Sequence, residues 1–309
     1  MNLNQDNINP FLNKYILFVN EVSDMFLYDA NIRHLLYLIV PAFIAKYGAS
    51  NESTVLKCFK EVKIYVRSGK DDVITASFNR VLKKDSNGYY TNKFVMINNY
   101  SLSSLLEVFD NIVHEFNHAV NSINNEISYD DKVIRLRTGL STLNYKRSDM
   151  SYINKSDEVV LEEILNTAQV EEIISIIDSF SKFYIDNIEL SNALEAVKKE
   201  LGGVKYNSSA YSFQKYICND LISNKTFAPT INNLRFKGFT SDIETLFDDV
   251  IGVPNSYKKL NKLLTDIHLL IIKYSKSKLL KKFYLGKIKD KAVSVSSLIK
   301  EYESKCIFK

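Results

Sequence analysis

From residue 11 to residue 47 apolar side chains recur at mixed spacings of three and four, the periodicity of helices. Inside that run LLYLIVPAFIA, residues 35–45, has no polar position at all. It reads as a buried helix, bent or broken at Pro41, and it is too short to span a bilayer. The pattern then changes. VKIYVRSG and DVITASFNRVL (72–82) are rich in β-branched and aromatic residues. DSNGYY (85–90) supplies an Asn-Gly turn, and NKFVMINNY (92–100) reads as a further strand. Together they predict a small antiparallel sheet.

Helical periodicity returns after Ser104, which forms an S-x-x-E capping box with Glu107. Leu105, Phe109, Ile112, Phe116, Ala119 and Ile123 fall on one stripe and give this helix a core face. Residues 124–156 are polar and irregular, with RLRTGLSTLNY in the middle. A second long helix is predicted from about Ser156 to Phe183. Beyond Gly202-Gly203 the pattern predicts helices over 208–223, 240–251 and 256–284, and a short one near 294–304. This order predicts an α+β fold: an N-terminal lobe, residues 1–125, with a small antiparallel sheet, and a mainly helical C-terminal lobe, residues 126–309. A cleft is expected where the lobes meet.

Composition narrows the class. Hydrophobic residues make up 46% of the 309, enough for a sizeable core, while 9 glycines and 4 prolines argue against long flexible linkers. A net charge of +4 is too small to imply a nucleic-acid partner. Cys58, Cys218 and Cys306 are far apart and odd in number, which excludes a disulfide framework and a cysteine zinc knuckle and suits a reducing compartment. The N-terminus lacks a basic start followed by an apolar run, so the expectation is a cytoplasmic protein with no signal peptide and no membrane span. Lysines crowd KYSKSKLLKKFYLGKIKDK, residues 273–291. Such a run can touch an anionic membrane or nucleic acid, but the expectation there is a solvated helix end, its aromatic and aliphatic residues serving as a core face.

The candidate chemistry lies in IVHEFNHAVNS, residues 112–122. Two histidines four residues apart point the same way from a helix, so His114 and His118 can reach one ion. Glu115 stands about 100° round from His114, where a general base takes a proton from a zinc-activated water. The spacing is H-E-x-x-H. The three-histidine continuation is excluded, because Asn121 and Asn124 stand where it needs glycine and histidine. The other common third ligand is a glutamate from a later helix, and LEEILNTAQVEE offers Glu162 and Glu163. Glu163 has Val160, Thr167 and Val170 as helical neighbours, whereas Glu162 has Glu158, Asn166 and Gln169. A carboxylate on the less polar stripe needs a partner or a metal, which favours Glu163.

VHEFNHAV, RTGLS and LEEILNTAQVEEI together resemble the gluzincin-type zinc metallopeptidases, with their thermolysin-like active site, and in particular small bacterial members. Weaker likeness extends to YSFQKYICNDLI and NNLRFKGFTSDIETLFDDVIG, so it covers about residues 90–252. The resemblance implies a zincin-like fold and one zinc ion held by His114, His118 and Glu163. It implies Glu115 as general base, a peptide or protein substrate, and NKFVMINNY as the edge strand that aligns that substrate. The thermolysin pattern has an aspartate four residues after the glutamate ligand; here that position is Thr167, with Asn166 beside it. Gluzincins use a tyrosine or histidine to steady the oxyanion. Tyr211 is the candidate, with Arg235 second; His34 and His268 sit in apolar helical contexts and read as core or boundary residues. The expected function is zinc-dependent peptide hydrolysis. The alternatives are a non-catalytic binding or regulatory protein with the same fold, and a toxin-like protease.

Overall fold

The structure is a computed structural model, and it describes residues 3–68, 75–98, 100, 103–156, 158–201 and 211–306. It is α+β, with helices predominating over two small sheets. The chain divides into two compact units. The first comprises Met1–Val120 and Gln169–Ser208, the second Asn121–Ala168 and Ser209–Lys309. Both are discontinuous, where the sequence reading puts a single cut after residue 125.

The first unit begins with α1 (Gln5–Asn13), α2 (Ile16–Phe26), α3 (Ala30–Tyr47) and α4 (Glu52–Glu61). Residues 35–44 of α3 are all buried, as an uninterrupted apolar run requires. The helix continues through Pro41, so of the two expectations there, a bend or a break, the break is ruled out. Three strands follow: β1 (Val62–Val66), β2 (Ala76–Asp85) and β3 (Gly88–Ile97). The Asp85–Gly88 pair closes a tight β2–β3 hairpin, and Gly88 takes φ +119°, a backbone conformation that glycine supplies at no steric cost.

The sheet order is β1-β3-β2. The β2–β3 pair is antiparallel, but β1 pairs with β3 in parallel, so the sheet is mixed rather than antiparallel throughout. β3 lies in the middle. NKFVMINNY is therefore not an edge strand, and β2 takes that place beside the helix described next.

That helix, α5 (Leu105–Val120), starts at the expected capping box. Ser104 N–H donates to Glu107 Oε2 at 2.8 Å, and Glu107 N–H donates to Ser104 Oγ at 3.2 Å. Phe109, Ile112 and Phe116 are buried on its core face, and the Phe116 ring stacks on Phe59 of α4 at 4.4 Å. Two such fully buried rings contribute roughly 2–3 kcal/mol each through area alone.

In the second unit, residues expected to be irregular form an antiparallel sheet of four strands: β4 (Ile127–Tyr129), β5 (Val133–Thr138), β6 (Ser141–Lys146) and β7 (Tyr152–Lys155). Ile134 and Leu136 are its fully buried positions, with mostly polar residues around them, so the apolar signal is short. α6 (Val159–Phe180) is one unbroken helix; residues 159–168 group with the second unit and residues 169–180 with the first. α7 (Ile188–Leu201) belongs to the first unit.

The remaining helices belong to the second: α8 (Ser212–Ile217), α9 (Asn219–Ser223), α10 (Phe227–Lys237), α11 (Thr240–Ile251), α12 (Ser256–Lys276) and α13 (Lys281–Cys306). Their core gathers Phe227, Phe247 and Tyr302, with Leu161 and Ile164 of α6. Two expected spans change. The helix expected over 256–284 stops at Lys276, and the one expected near 294–304 begins at Lys281. Gly202-Gly203 and the start of the 208–223 span lie outside the described residues. No helix among the described residues is long and apolar enough to cross a membrane.

Candidate metal centre

Helix periodicity sets the first two donors. His114 and His118 are one turn apart on α5, with ring centroids 5.0 Å apart; His118 is buried and His114 half-buried. Between them, Asn117 points into a buried polar clamp. Tyr47 O–H donates to Asn117 Oδ1 at 2.7 Å, and Asn117 Nδ2 donates to Gln169 Oε1 at 3.0 Å. Each of these polar groups is satisfied by the others, so the clamp holds α5 against the later part of α6 at low desolvation cost.

Glu163 lies on α6 six residues before Gln169, in the same continuous helix. One ligand atom from each of His114, His118 and Glu163 lies within 4.8 Å of the other two. Donor atoms on a tetrahedral zinc with bonds of about 2.1 Å are roughly 3.4 Å apart, so small side-chain rotations reach that spacing. Two imidazole nitrogens and one carboxylate oxygen form the donor set of an open zinc site, and the residues fit the ion.

Glu162 has a different environment from its neighbour. It is 1% exposed, whereas Glu163 is half-buried, so the glutamate with the more polar helical neighbours is the deeper of the two. Arg235, itself 0% exposed, donates from Nε to Glu162 Oε2 at 2.6 Å and from Nη2 to Oε1. Leu140 N–H donates to Oε2 as well, at 2.7 Å. Both carboxylate oxygens are thus occupied by fixed donors, which explains why Glu162 stays outside the ligand group.

The neighbouring backbone is shaped around that carboxylate. Gly139 has φ +56°, and a Cβ there would fall 2.0 Å from Glu162 Oε2. Arg137 caps the network, donating to the carbonyls of Asn121, Asn124, Gly139 and Arg235. RTGLS and NNLRFKG, far apart in the chain, therefore meet in one buried cluster around the residue preceding Glu163. Arg235 is not the oxyanion donor considered from sequence, since its Nε and Nη2 face Glu162 and Asn166.

Glu115 is 8% exposed, and Phe78 N–H of β2 donates to its Oε2 at 2.6 Å. That bond fixes the carboxylate against the strand next to α5. Tyr211 sits at the start of α8 in the left-handed region, φ 51°, and its ring stacks on His268 at 5.3 Å. Burial, and then the charge of Glu163, pushes the Tyr211 phenol up to about 12. Burial lowers the His268 imidazole, and Glu163 opposes that shift. Both rings therefore feel the Glu163 carboxylate.

His268 is half-buried with Nδ1 3.4 Å from Gln214 Nε2, so it is a boundary residue with a polar neighbour. His34 on α3 is half-buried beside Tyr37. Thr167 is fully buried, and its Oγ1 has no hydrogen-bond partner among the described residues. The Asn117 clamp, Gly139 and the Glu162–Arg235 pair are absent from the sequence reading. The signals that could have found them are the asparagine inside H-E-x-x-H and the glycine between Arg137 and Leu140.

Compared with known proteins, the chain matches no family model, no curated protein and no solved structure.

Proposed function

We propose that the chain is a zinc-dependent metallopeptidase of the gluzincin kind, with a zincin-like arrangement of α5 and α6. The observation that carries this reading is the approach of His114, His118 and Glu163 to within 4.8 Å, with Glu115 next in sequence to the first histidine. A zinc ion bound there supplies a Lewis acid that acidifies water and polarises a carbonyl.

The side chains supply the rest. Glu115, oriented by Phe78 N–H, accepts the proton of the attacking water and returns it to the departing amine. Tyr211 keeps its phenolic proton at neutral pH, as a tyrosine of ordinary pKa does and all the more with its pKa raised to about 12, and can donate a hydrogen bond to an oxyanion. Peptide substrates suit this chemistry, since an unactivated amide needs a base for the water and an acid for the amine leaving group.

Glu115→Gln tests this directly. The variant should keep its zinc and lose peptide cleavage by about 10²-fold or more, the usual weight of a general base. Cleavage of a mixed peptide library at an undiminished rate by Glu115→Gln would count against the assignment.

A further inference from the structure

The break between α12 and α13 carries a second surface, independent of the peptidase reading. Residues 277–280 join the two helices, and lysines flank them on both sides. Lys276, Lys278, Lys281, Lys282, Lys287 and Lys289 are all exposed, and none forms an ion pair among the described residues. Asp290 is the one acidic residue between positions 267 and 300. Two of the lysines lie over rings instead: Lys281 Nζ is 5.5 Å from the Tyr274 centroid and Lys287 Nζ is 4.4 Å from that of Phe283.

Between these cations the apex is apolar and unburied. Leu279 is 94% exposed, Leu280 and Phe283 are each 53% exposed, and Leu285 is 41% exposed. The sequence led to a solvated helix end whose apolar residues face a core; these four do not. On α13 the core is reached further along, by Ile288, Val295, Leu298, Ile299 and Tyr302. A tip serving only as a soluble turn has no use for three large apolar side chains at its apex, where water must order around them.

We propose that the α12–α13 turn docks the chain on an anionic lipid surface. Leu279, Leu280 and Phe283 enter the boundary between headgroups and acyl chains, and the lysines rest against lipid phosphates and carboxylates. Apolar insertion and polybasic attraction are the two signals a peripheral protein combines to stay on a bilayer. Charge excludes a second copy of the same surface, because like would face like. The aliphatic apex argues against nucleic acid, since Leu279 and Leu280 offer bases no stacking face and Phe283 is already covered by Lys287.

The full-length chain should co-sediment with large unilamellar vesicles of phosphatidylcholine containing about 30% phosphatidylserine, and not with phosphatidylcholine alone. Retention should weaken as salt rises from about 0.1 M to about 0.5 M. Lys281→Glu/Lys282→Glu should weaken binding at least about tenfold. Leu279→Ser/Leu280→Ser/Phe283→Ser should do the same with an unchanged far-ultraviolet circular dichroism spectrum, since all three side chains are exposed.

Equal recovery from both vesicle types overturns the proposal, as does undiminished binding by either variant. Binding of single-stranded RNA without vesicle binding also overturns it. Because none of these substitutions touches His114, His118 or Glu163, zinc content should be unaffected, so this surface and the metal centre succeed or fail separately.

Discussion

Arg235 Nε donates to Glu162 Oε2 at 2.6 Å, with both side chains sealed from solvent. Full ionic burial is costly unless every donor and acceptor finds a partner. Here Leu140 N–H and Asn166 Oδ1 complete the pair, and the adjacent Gly139 leaves room for it. The network fixes the first turns of α6, and with them the residue after Glu162, which is Glu163.

Removing the cation should therefore be severe. Arg235→Met takes the guanidinium away from a buried carboxylate and should cost about 3–5 kcal/mol of unfolding free energy in urea. A loss under about 1 kcal/mol would mean that the network is not holding this part of the helix.

The Asn117 clamp has a smaller expected effect. Asn117→Ala removes the acceptor of the Tyr47 hydroxyl and a donor to Gln169 Oε1, and should lower stability by about 1–3 kcal/mol. Zinc affinity should fall with it, because Asn117 and His118 adjoin on α5. Unchanged metal affinity in a folded Asn117→Ala chain would show that the clamp has no bearing on the donors.

Tyr211 gives a prediction in pH. Its pKa in the fold is raised to about 12, first by burial and then by the charge of Glu163. The fold thus favours the protonated phenol. Its contribution is fully present below the ordinary tyrosine pKa of about 10 and is lost as pH rises through about 12. The metal-free chain should lose stability over that window more steeply than Tyr211→Phe does. At neutral pH, Tyr211→Phe should lower kcat for peptide cleavage by about 10²-fold with KM little changed. A change confined to KM would assign Tyr211 to substrate binding instead.

The parts of this molecule legible from sequence are those where one local rule decides. The α5 stripe, its capping box and the turn of the H-E-x-x-H motif follow from a period of 3.6 and a few hydrogen bonds. The β4–β7 sheet was hidden because Ile134 and Leu136 are the only fully buried apolar positions among its described residues, next to Arg135 and Arg137 in a pattern too short to stand out among polar residues. The break after Lys276 has no glycine or proline to announce it.

The choice between Glu162 and Glu163 shows where periodicity runs out. Neighbours along a helix say which residues share a stripe, but not which of two adjacent glutamates lies deeper. That depends on Arg235, more than seventy residues away, which takes up the carboxylate of Glu162. The same distant pairing hid the role of Gly139.

The most direct test of the central claim is the metal content of the chain, purified without chelator and measured by elemental analysis. The account predicts about one zinc per chain, reduced to a small fraction in His118→Ala and in Glu163→Ala and retained in Glu162→Gln if that variant folds. Less than about a tenth of an equivalent in the wild-type protein, or zinc unaffected by His118→Ala, would contradict it.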